Sequence, residues 1–267
     1  MEESFDVIVV GGGPAGLSSA LVASRNGLST VVLERGEESG TKNMFGGVLY
    51  TNSLKKLIPE FWKIAPVERP ITKRRIDFLT ENSLVSIEFE NFKYKENYNG
   101  FSVYRSKFDK WFSKYVEESG VLIANGVKVD EIVHENGRVV GVRSGDDILY
   151  GKMVIIADGV ISLIAQKEGM KKKPDPKNFA LGMKEIIKLS QEDVEKRFGI
   201  KENEGVEILY LGYPTKYMRG GGFLYTYRDS ISLGLIVSLE ELRKSEYMAS
   251  DLIEDFKENR KISELID

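Results

Sequence analysis

The sequence contains no cysteine among its 267 residues. That excludes disulfides, thiolate nucleophiles and iron–sulfur clusters held by thiolates of this chain. It has a single histidine, His134, in Val133-His134-Glu135-Asn136-Gly137. One imidazole does not build a metal site, so no metal ligands are expected, and His134 reads as an exposed residue of a hairpin turn. Charge of one sign is not in surplus: 38 Lys and Arg face 41 Asp and Glu, for a formal net charge of -3. A nucleic-acid footprint would need a basic excess. The short run Lys171-Lys172-Lys173, close to Pro174 and Pro176, reads as a solvated loop. Long apolar runs are missing as well. The first, Phe5-Asp6-Val7-Ile8-Val9-Val10, is too short for a signal or a membrane span, so a cytoplasmic location is the expectation. Any redox chemistry must be carried by a bound organic cofactor.

What the chain does have is punctuated α/β patterning. Residues 5–10 form a β-branched run bounded by glycine, which predicts a buried parallel strand. Residues 14–26 read as a helix, with Pro14 in its first turn and Gly27 just past its end. Residues 29–34 read as a second strand, so a βαβ unit opens the chain. Arg74–Leu79 and Leu84–Phe89 alternate around Glu81-Asn82-Ser83 and predict an antiparallel hairpin. Helical spacing returns over 106–119, where Phe108, Trp111, Phe112, Tyr115 and Val116 share a face that reads as core packing. Strands are expected at 121–124, 127–133, 138–143 and 153–157. From about residue 178 the pattern is strands at 179–189, 206–212, 221–227 and 231–239, then a helix over 245–258. The fold class expected is α/β: a parallel-sheet domain interleaved with an antiparallel one.

The chemistry sits in the turns. Gly11-Gly12-Gly13-Pro14-Ala15-Gly16 supplies G-x-G-x-x-G between a strand and a helix. In that context Gly11 permits the tight turn, Gly13 admits a pyrophosphate, and Gly16 lets helix and strand pack closely. The anion then meets the helix N-terminus. Glu34 ends the second strand, where a carboxylate can accept hydrogen bonds from an adenosine ribose and would repel a 2′-phosphate. Together these point to an adenine dinucleotide. Asp158-Gly159 follows the strand at 153–157, at the end that faces the ligand crevice of a parallel sheet, and favours a flavin nucleotide over NAD. Gly46 and Gly47 read either as a flexible loop or as backbone passing close to something flat. Arg105 reads either as a surface charge or as a phosphate or ribityl contact.

Four stretches carry a family resemblance: Gly40-Thr41-Lys42-Asn43-Met44-Phe45-Gly46-Gly47-Val48-Leu49-Tyr50, Tyr104-Arg105-Ser106-Lys107-Phe108-Asp109, Ala157-Asp158-Gly159-Val160 and Gly220-Gly221-Gly222-Phe223-Leu224-Tyr225-Thr226. Their order resembles the FixC-type flavoprotein dehydrogenases, relatives of electron-transfer flavoprotein–quinone oxidoreductase and, more distantly, of geranylgeranyl reductases and aromatic hydroxylases. The resemblance runs from residue 4 to about 242. It implies a Rossmann-like FAD-binding domain (1–70 and 100–175) and an antiparallel substrate-side domain (71–99 and 176–267), in a glutathione-reductase/hydroxylase-like flavoprotein fold. It implies that Gly46 and Gly47 lie near the isoalloxazine and that Arg105 and Asp158 contact FAD.

The candidate cofactor-binding set is Gly11, Gly13, Pro14, Ala15, Gly16, Glu34, Arg35, Gly46, Gly47, Arg105, Val129, Asp158 and Gly159. No residue is assigned as catalytic, since the flavin would carry the chemistry. The implied partners are an electron-transferring flavoprotein, quinone and a ferredoxin-like iron–sulfur protein, the last in keeping with a cysteine-free chain. Peripheral contact with a membrane stays open. The family also has a later Gly-Asp flavin motif, and the chain ends at Ile266-Asp267 without one, so weakened FAD retention is expected. Two other readings stay open: an isoprenoid double-bond reductase with an apolar tunnel, and a fragment that holds FAD poorly and is not catalytic.

Overall fold

The computed structural model describes residues 4–41, 43 and 46–266. The chain divides into two compact units, Met1–Phe45, Lys55–Pro66 and Tyr104–Pro174 in the first and Gly46–Leu54, Val67–Val103 and Asp175–Asp267 in the second. The resemblance implies one body for 1–70 and 100–175; the structure gives Gly46–Leu54, 67–70 and 100–103 to the second unit. The elements begin with β1 (Ser4–Val10), α1 (Pro14–Arg25), β2 (Thr30–Glu34), β3 (Gly46–Tyr50) and α2 (Thr51–Leu57). Then come β4 (Val67–Leu79), β5 (Leu84–Glu90), β6 (Gly100–Tyr104) and α3 (Arg105–Glu117). Next are β7 (Leu122–Asn125), β8 (Glu131–Glu135), β9 (Arg138–Ser144), β10 (Asp147–Ile156) and α4 (Leu163–Lys167). The chain continues through β11 (Ala180–Lys188), α5 (Gln191–Phe198), β12 (Gly205–Gly212), β13 (Gly220–Thr226) and β14 (Ser230–Ser238). It closes with α6 (Leu239–Leu242), α7 (Ala249–Glu258) and α8 (Arg260–Ile266).

The first unit is built on a six-stranded sheet in the order β7-β2-β1-β10-β9-β8. Its first four strands are parallel, and β9 and β8 complete it antiparallel. Val7–Val10 pairs with β2 on one side and β10 on the other, which is why that run is apolar on both faces. α1 is the crossover; it buries Leu17, Ala20 and Leu21, and Gly27 follows its end at φ +78. α3 packs against α1 and buries Phe108, Phe112 and Val116 of the expected core stripe, while Trp111 and Tyr115 of that stripe are half-buried. Three expectations need correcting. β10 is ten residues long because its first half pairs with β9. β8 starts at Glu131, not at 127. His134 belongs to β8, next to a register shift, and its ring meets the Glu168 carboxylate at 2.9 Å; Asn136 and Gly137 make the turn.

The second unit is built on an eight-stranded sheet in the order β11-β14-β13-β12-β4-β6-β3, with β5 on β4. The hairpin β4–β5 closes at Leu79 and Leu84 as the alternation predicts. The sheet is not wholly antiparallel, since β12 runs parallel to β4. One face carries Ile208, Tyr210, Leu224, Leu233 and Leu235 into a core shared with α5, α7 and α8. The helix α5 was not expected from the sequence pattern, although its caps are legible: Ser190 accepts from the Asp193 amide at 3.0 Å, and Gly199 ends it at φ +59. The terminal helix starts at Ala249, and α8 follows it after Asn259.

Candidate functional site

The carboxyl ends of β1, β2 and β10 meet in the first unit, and the glycine turn lies across them. Gly11 sits at φ +109, and a Cβ there would stand 2.4 Å from the Ala157 carbonyl oxygen. A Cβ on Gly16 would stand 1.9 Å from the Gly11 oxygen, so strand and helix cross with no room for a side chain. Gly13 is different. It is the N-cap of α1, no side chain caps that end, no acidic residue stands in its first turn, and nothing lies within 4 Å of where its Cβ would be. Pro14 takes the first helical position and Ala15 is exposed beside it. The helix N-terminus therefore opens onto free space, with its positive dipole end and amides uncapped.

Glu34 closes this turn from β2. Its Oε2 accepts from the Gly12 amide at 2.8 Å and its Oε1 from the Gly36 amide at 2.7 Å. The carboxylate thus pins the glycine loop, a role its spacing did not reveal, and its remaining lone pairs are free for a ribose. Arg35 beyond it is exposed. Ser39 was not anticipated: it is buried, its hydroxyl has no hydrogen-bond partner, and a Cβ on Gly12 would lie 2.6 Å from it. Only the tertiary packing could have drawn attention to it.

Arg105 is the first residue of α3 rather than the residue before it. Its Nε and Nη2 grip Asp109 at 2.8 and 2.9 Å, and Asn43 Nδ2 donates to the same carboxylate at 2.6 Å. Asp109 is fully buried, so the guanidinium is held by a rigid two-point anchor. Asp158 follows β10 and accepts from the Ile164 amide at 2.7 Å, which caps α4. Gly159 is exposed with open space around it. Val129 packs its side chain into the core with Ile8, Val10, Val31 and Leu33, so only its backbone is left for a ligand.

Gly46 and Gly47 belong to the second unit, on β3. They read as a loop or a close-approach segment, and the structure makes them a strand. A Cβ on Gly46 would strike Tyr227 Oη at 2.1 Å and the Val103 oxygen at 2.8 Å, whereas Gly47 faces open space. Lys42, Met44 and Phe45 of that motif lie outside the described residues.

The first unit thus brings Gly11 to Gly16, Glu34 and the Ala157–Asp158 backbone together at the ends of its parallel strands and holds Arg105 on α3, and the second unit holds Gly46 and Gly47. A cradle that a Gly13 side chain would fill, an uncapped helix N-terminus and a strand-end carboxylate fit the pyrophosphate and ribose of FAD. No group of three or more His, Cys, Asp or Glu among the described residues could hold a metal ion. Among the described residues no helix is long and apolar enough to cross a membrane.

Such a turn on a parallel sheet defines a dinucleotide-binding protein. Residues 6–162 match the family described as FAD dependent oxidoreductase, and the chain belongs to that family, whose cofactor is FAD. It is 42% identical over 266 residues to Protein FixC of Salmonella typhi, an alignment that covers 99% of this chain and 62% of the relative. It has the same identity and coverage to the Escherichia coli K12 protein YdiS, described as a probable electron transfer flavoprotein-quinone oxidoreductase. The chain therefore spans about 62% of the length of these curated relatives. Among solved structures, a geranylgeranyl bacteriochlorophyll reductase-like protein from Thermoplasma acidophilum superposes with a TM-score of 0.80 at 22% identity, over 98% of this chain and 64% of the other. At that identity the likeness shows the fold alone.

Proposed function

We propose that the chain holds FAD in its first unit and passes electrons from an electron-transferring flavoprotein towards quinone, with a ferredoxin-like iron–sulfur protein as a further partner. The observation that carries the flavin part is the open space at Gly13, before an uncapped helix and beside Glu34. The description of the 42% identical relative YdiS as a probable electron transfer flavoprotein-quinone oxidoreductase supports the donor and acceptor. In this reading the α1 N-terminus binds the pyrophosphate, Glu34 fixes the loop and accepts from the ribose, and Arg105 reaches the cofactor while Asp109 orients it. Asp158 and Gly159 approach from the end of β10, the Val129 backbone borders the adenosine, and Arg35 screens the phosphates. Gly46 and Gly47 are the residues that the family resemblance assigns to the flat ring; of the two, Gly47 has open space where a side chain would be. The bound FAD supplies the one- and two-electron chemistry. The protein works on the cytoplasmic side, in peripheral contact with the membrane where a lipid quinone is met.

The test is FAD titration followed by stopped-flow reduction. Gly13→Val is expected to abolish binding while the fold is retained, because its side chain takes the pyrophosphate's place. Glu34→Ala should weaken FAD by about 1.5–3 kcal/mol, the scale of hydrogen bonds to a charged group. Reduced electron-transferring flavoprotein should reduce the bound flavin, and NADPH should not. An unchanged dissociation constant for Gly13→Val, or reduction by NADPH as fast as by the protein donor, would overturn the reading.

A further inference from the structure

The hairpin β4–β5 leaves the second unit's sheet with an unguarded edge. Among the described residues β5 pairs with β4 alone. It runs Leu84-Val85-Ser86-Ile87-Glu88-Phe89-Glu90, with no proline and no lysine. Its register against β4 is continuous from Leu84 to Glu90, so no bulge twists the edge away. The other outer strands are guarded. β7 and β3 are short, at four and five residues. β8 has a register shift against β9, and β11 carries Lys184 and Lys188. On β5, Val85, Ile87 and Phe89 are 64%, 62% and 61% exposed. They share a face with Phe78, Ile76 and Arg74, their partners across the hairpin.

The ladder fixes which backbone groups face outwards. The Thr80 amide donates to the Ser83 carbonyl at 2.9 Å, and the Asn91 amide to the Thr72 carbonyl at 2.9 Å. Both pairs keep the β4–β5 register. Hydrogen-bonded pairs alternate in an antiparallel ladder, so Val85, Ile87 and Phe89 bond to β4. The amides and carbonyls of Leu84, Ser86, Glu88 and Glu90 point away from it. Those four positions are symmetric about Ile87. Two β5 strands set antiparallel, with Ile87 facing its copy, match Ser86 to Glu88 and Leu84 to Glu90. Every outward group of each strand then has a partner. The side chains agree with that register. Ile87 meets its copy at a non-hydrogen-bonded pair, where side chains come closest. Phe89 meets Val85, an aromatic beside a β-branched residue. No carboxylate directly opposes another, and Glu90 brings its own cation, Lys73 Nζ at 3.5 Å. An axis at Glu88 would set that carboxylate against its copy, and an axis at Ser86 would pair Glu90 with Asn82 of the turn.

We propose that β5 is a docking edge for a second copy of this chain. The two strands pair antiparallel about a two-fold axis at Ile87 and join two sheets into one. The interface is isologous, because each copy supplies the same residues. Main-chain hydrogen bonds hold the joint, and side chains choose its register. On the apolar face, Ile76 and Ile87 of both copies form the central row. Phe78 and Val85 of one copy continue into Phe89 and Arg74 of the other, once on each side of the axis. The joint covers the apolar face of an edge strand that otherwise meets water. It uses the second unit alone and is independent of the flavin.

The experiment uses the 267-residue chain, whose lack of cysteine makes any introduced thiol unique. Sedimentation equilibrium should show a reversible monomer–dimer equilibrium. Ile87→Lys sets two ammonium groups face to face and removes the central apolar pair. Its dimer dissociation constant should rise about 100-fold or more. Ile87 is exposed in the monomer, so the fold should tolerate the lysine. Under mild oxidant, Ile87→Cys should cross-link to itself, because facing Cα atoms at such a pair lie about 4.5 Å apart, within disulfide reach. Val85→Cys alone should not cross-link, whereas Val85→Cys mixed with Phe89→Cys should. Phe92→Cys, 86% exposed in the loop that follows, reports chance collision. In the wild type, hydrogen exchange read by NMR should slow at the Ser86 and Glu88 amides as concentration rises. The Val85 and Ile87 amides should be protected throughout. A chain that stays monomeric, an unchanged constant for Ile87→Lys, or Ser86 and Glu88 amides indifferent to concentration would each overturn the proposal. Cross-linking of Val85→Cys alone as fast as of Ile87→Cys would overturn its register. A monomer that instead inserts β5 into phospholipid vesicles would overturn it in favour of a membrane contact.

Discussion

Arg69 shows how much one side chain can hold. It is 1% exposed, and its guanidinium has no water to fall back on. Nε donates to the Tyr227 carbonyl at 2.7 Å, Nη1 to those of Lys201, Glu202 and Glu204 at 3.0 to 3.1 Å, and Nη2 to that of Arg228 at 3.1 Å. Glu195 Oε1, 3.2 Å from Nη2, supplies the opposite charge. The Glu195 pKa is lowered first by the Gln191 hydrogen bond and then by Arg69. Removing the guanidinium would orphan five carbonyls, and buried polar groups left unpaired cost about 1–3 kcal/mol each before relaxation. Arg69→Met is expected to destabilise the second unit by roughly 3–5 kcal/mol, the scale for breaking a buried charged network. Hydrogen exchange across β12, β13 and β14 checks this. Protection equal to wild type would mean that water replaces the guanidinium at no cost.

Strands are held in register by their ends as well as by their ladders. At the start of β1, Asp6 Oδ1 takes Lys152 Nζ of β10 at 2.6 Å, and Oδ2 accepts from the Ser29 amide and hydroxyl at 2.9 Å just before β2. One carboxylate thereby clips three parallel strands together. Its pKa is lowered from 3.8 to about 2, first by the Lys152 hydrogen bond and then by those from Ser29. A depressed folded pKa means that the folded state binds the proton less readily than the unfolded chain does. The clip's contribution is therefore present above the unfolded pKa of 3.8 and lost as pH falls through about 2. Asp6→Asn should flatten that part of the acid limb and lower stability at neutral pH, where the wild-type clip is charged. Paired acid-unfolding curves of the two proteins measure it, and superimposable curves between pH 4 and 2 would refute it.

At the scale of the molecule, the second unit's sheet ends in a hairpin whose outer strand, β5, pairs with β4 alone among the described residues. Val85, Ile87 and Phe89 alternate along it and all are exposed, as are Ile76 and Phe78 across the pair. The first unit has its own apolar groove of about 520 Å³, lined by Val7, Val22, Leu28, Leu57, Met153 and Ile155. Contiguous apolar patches and open strand edges promote association. The 267-residue chain is expected to self-associate with rising concentration. The triple substitution Val85→Lys, Ile87→Thr and Phe89→Lys should shift its sedimentation towards monomer. A wild-type chain that stays monomeric at high concentration would show that these faces are harmless as they stand.

The sequence by itself determined the local architecture wherever a short-range rule dominates. The β1–α1–β2 unit follows from a β-branched run, a glycine turn, Pro14 and Gly27, each of which acts on its own backbone. The β4–β5 hairpin and the α3 core stripe follow from periods of two and of 3.6. The glycine turn was legible because only glycine tolerates the Gly11–Ala157 and Gly11–Gly16 approaches. α5 was legible in its caps but hidden by a charged sequence whose apolar anchors, Val194 and Phe198, are few. Tertiary structure decided the rest. The parallel pairing of β12 with β4 brings together residues more than 130 positions apart, and no local pattern encodes which strand edge a segment meets. The engagement of Arg105 by Asp109, the capping of α4 by Asp158 and the burial of Ser39 beside Gly12 likewise depend on which backbone comes near. Glu207 and Arg74 come from two strands and meet only because the sheet's register sets them side by side, and the Arg74 guanidinium lies over the Tyr50 ring of a third strand. Residue types and spacing establish what a segment can do, while long-range pairing chooses its neighbours, and buried charge takes its chemistry from those neighbours.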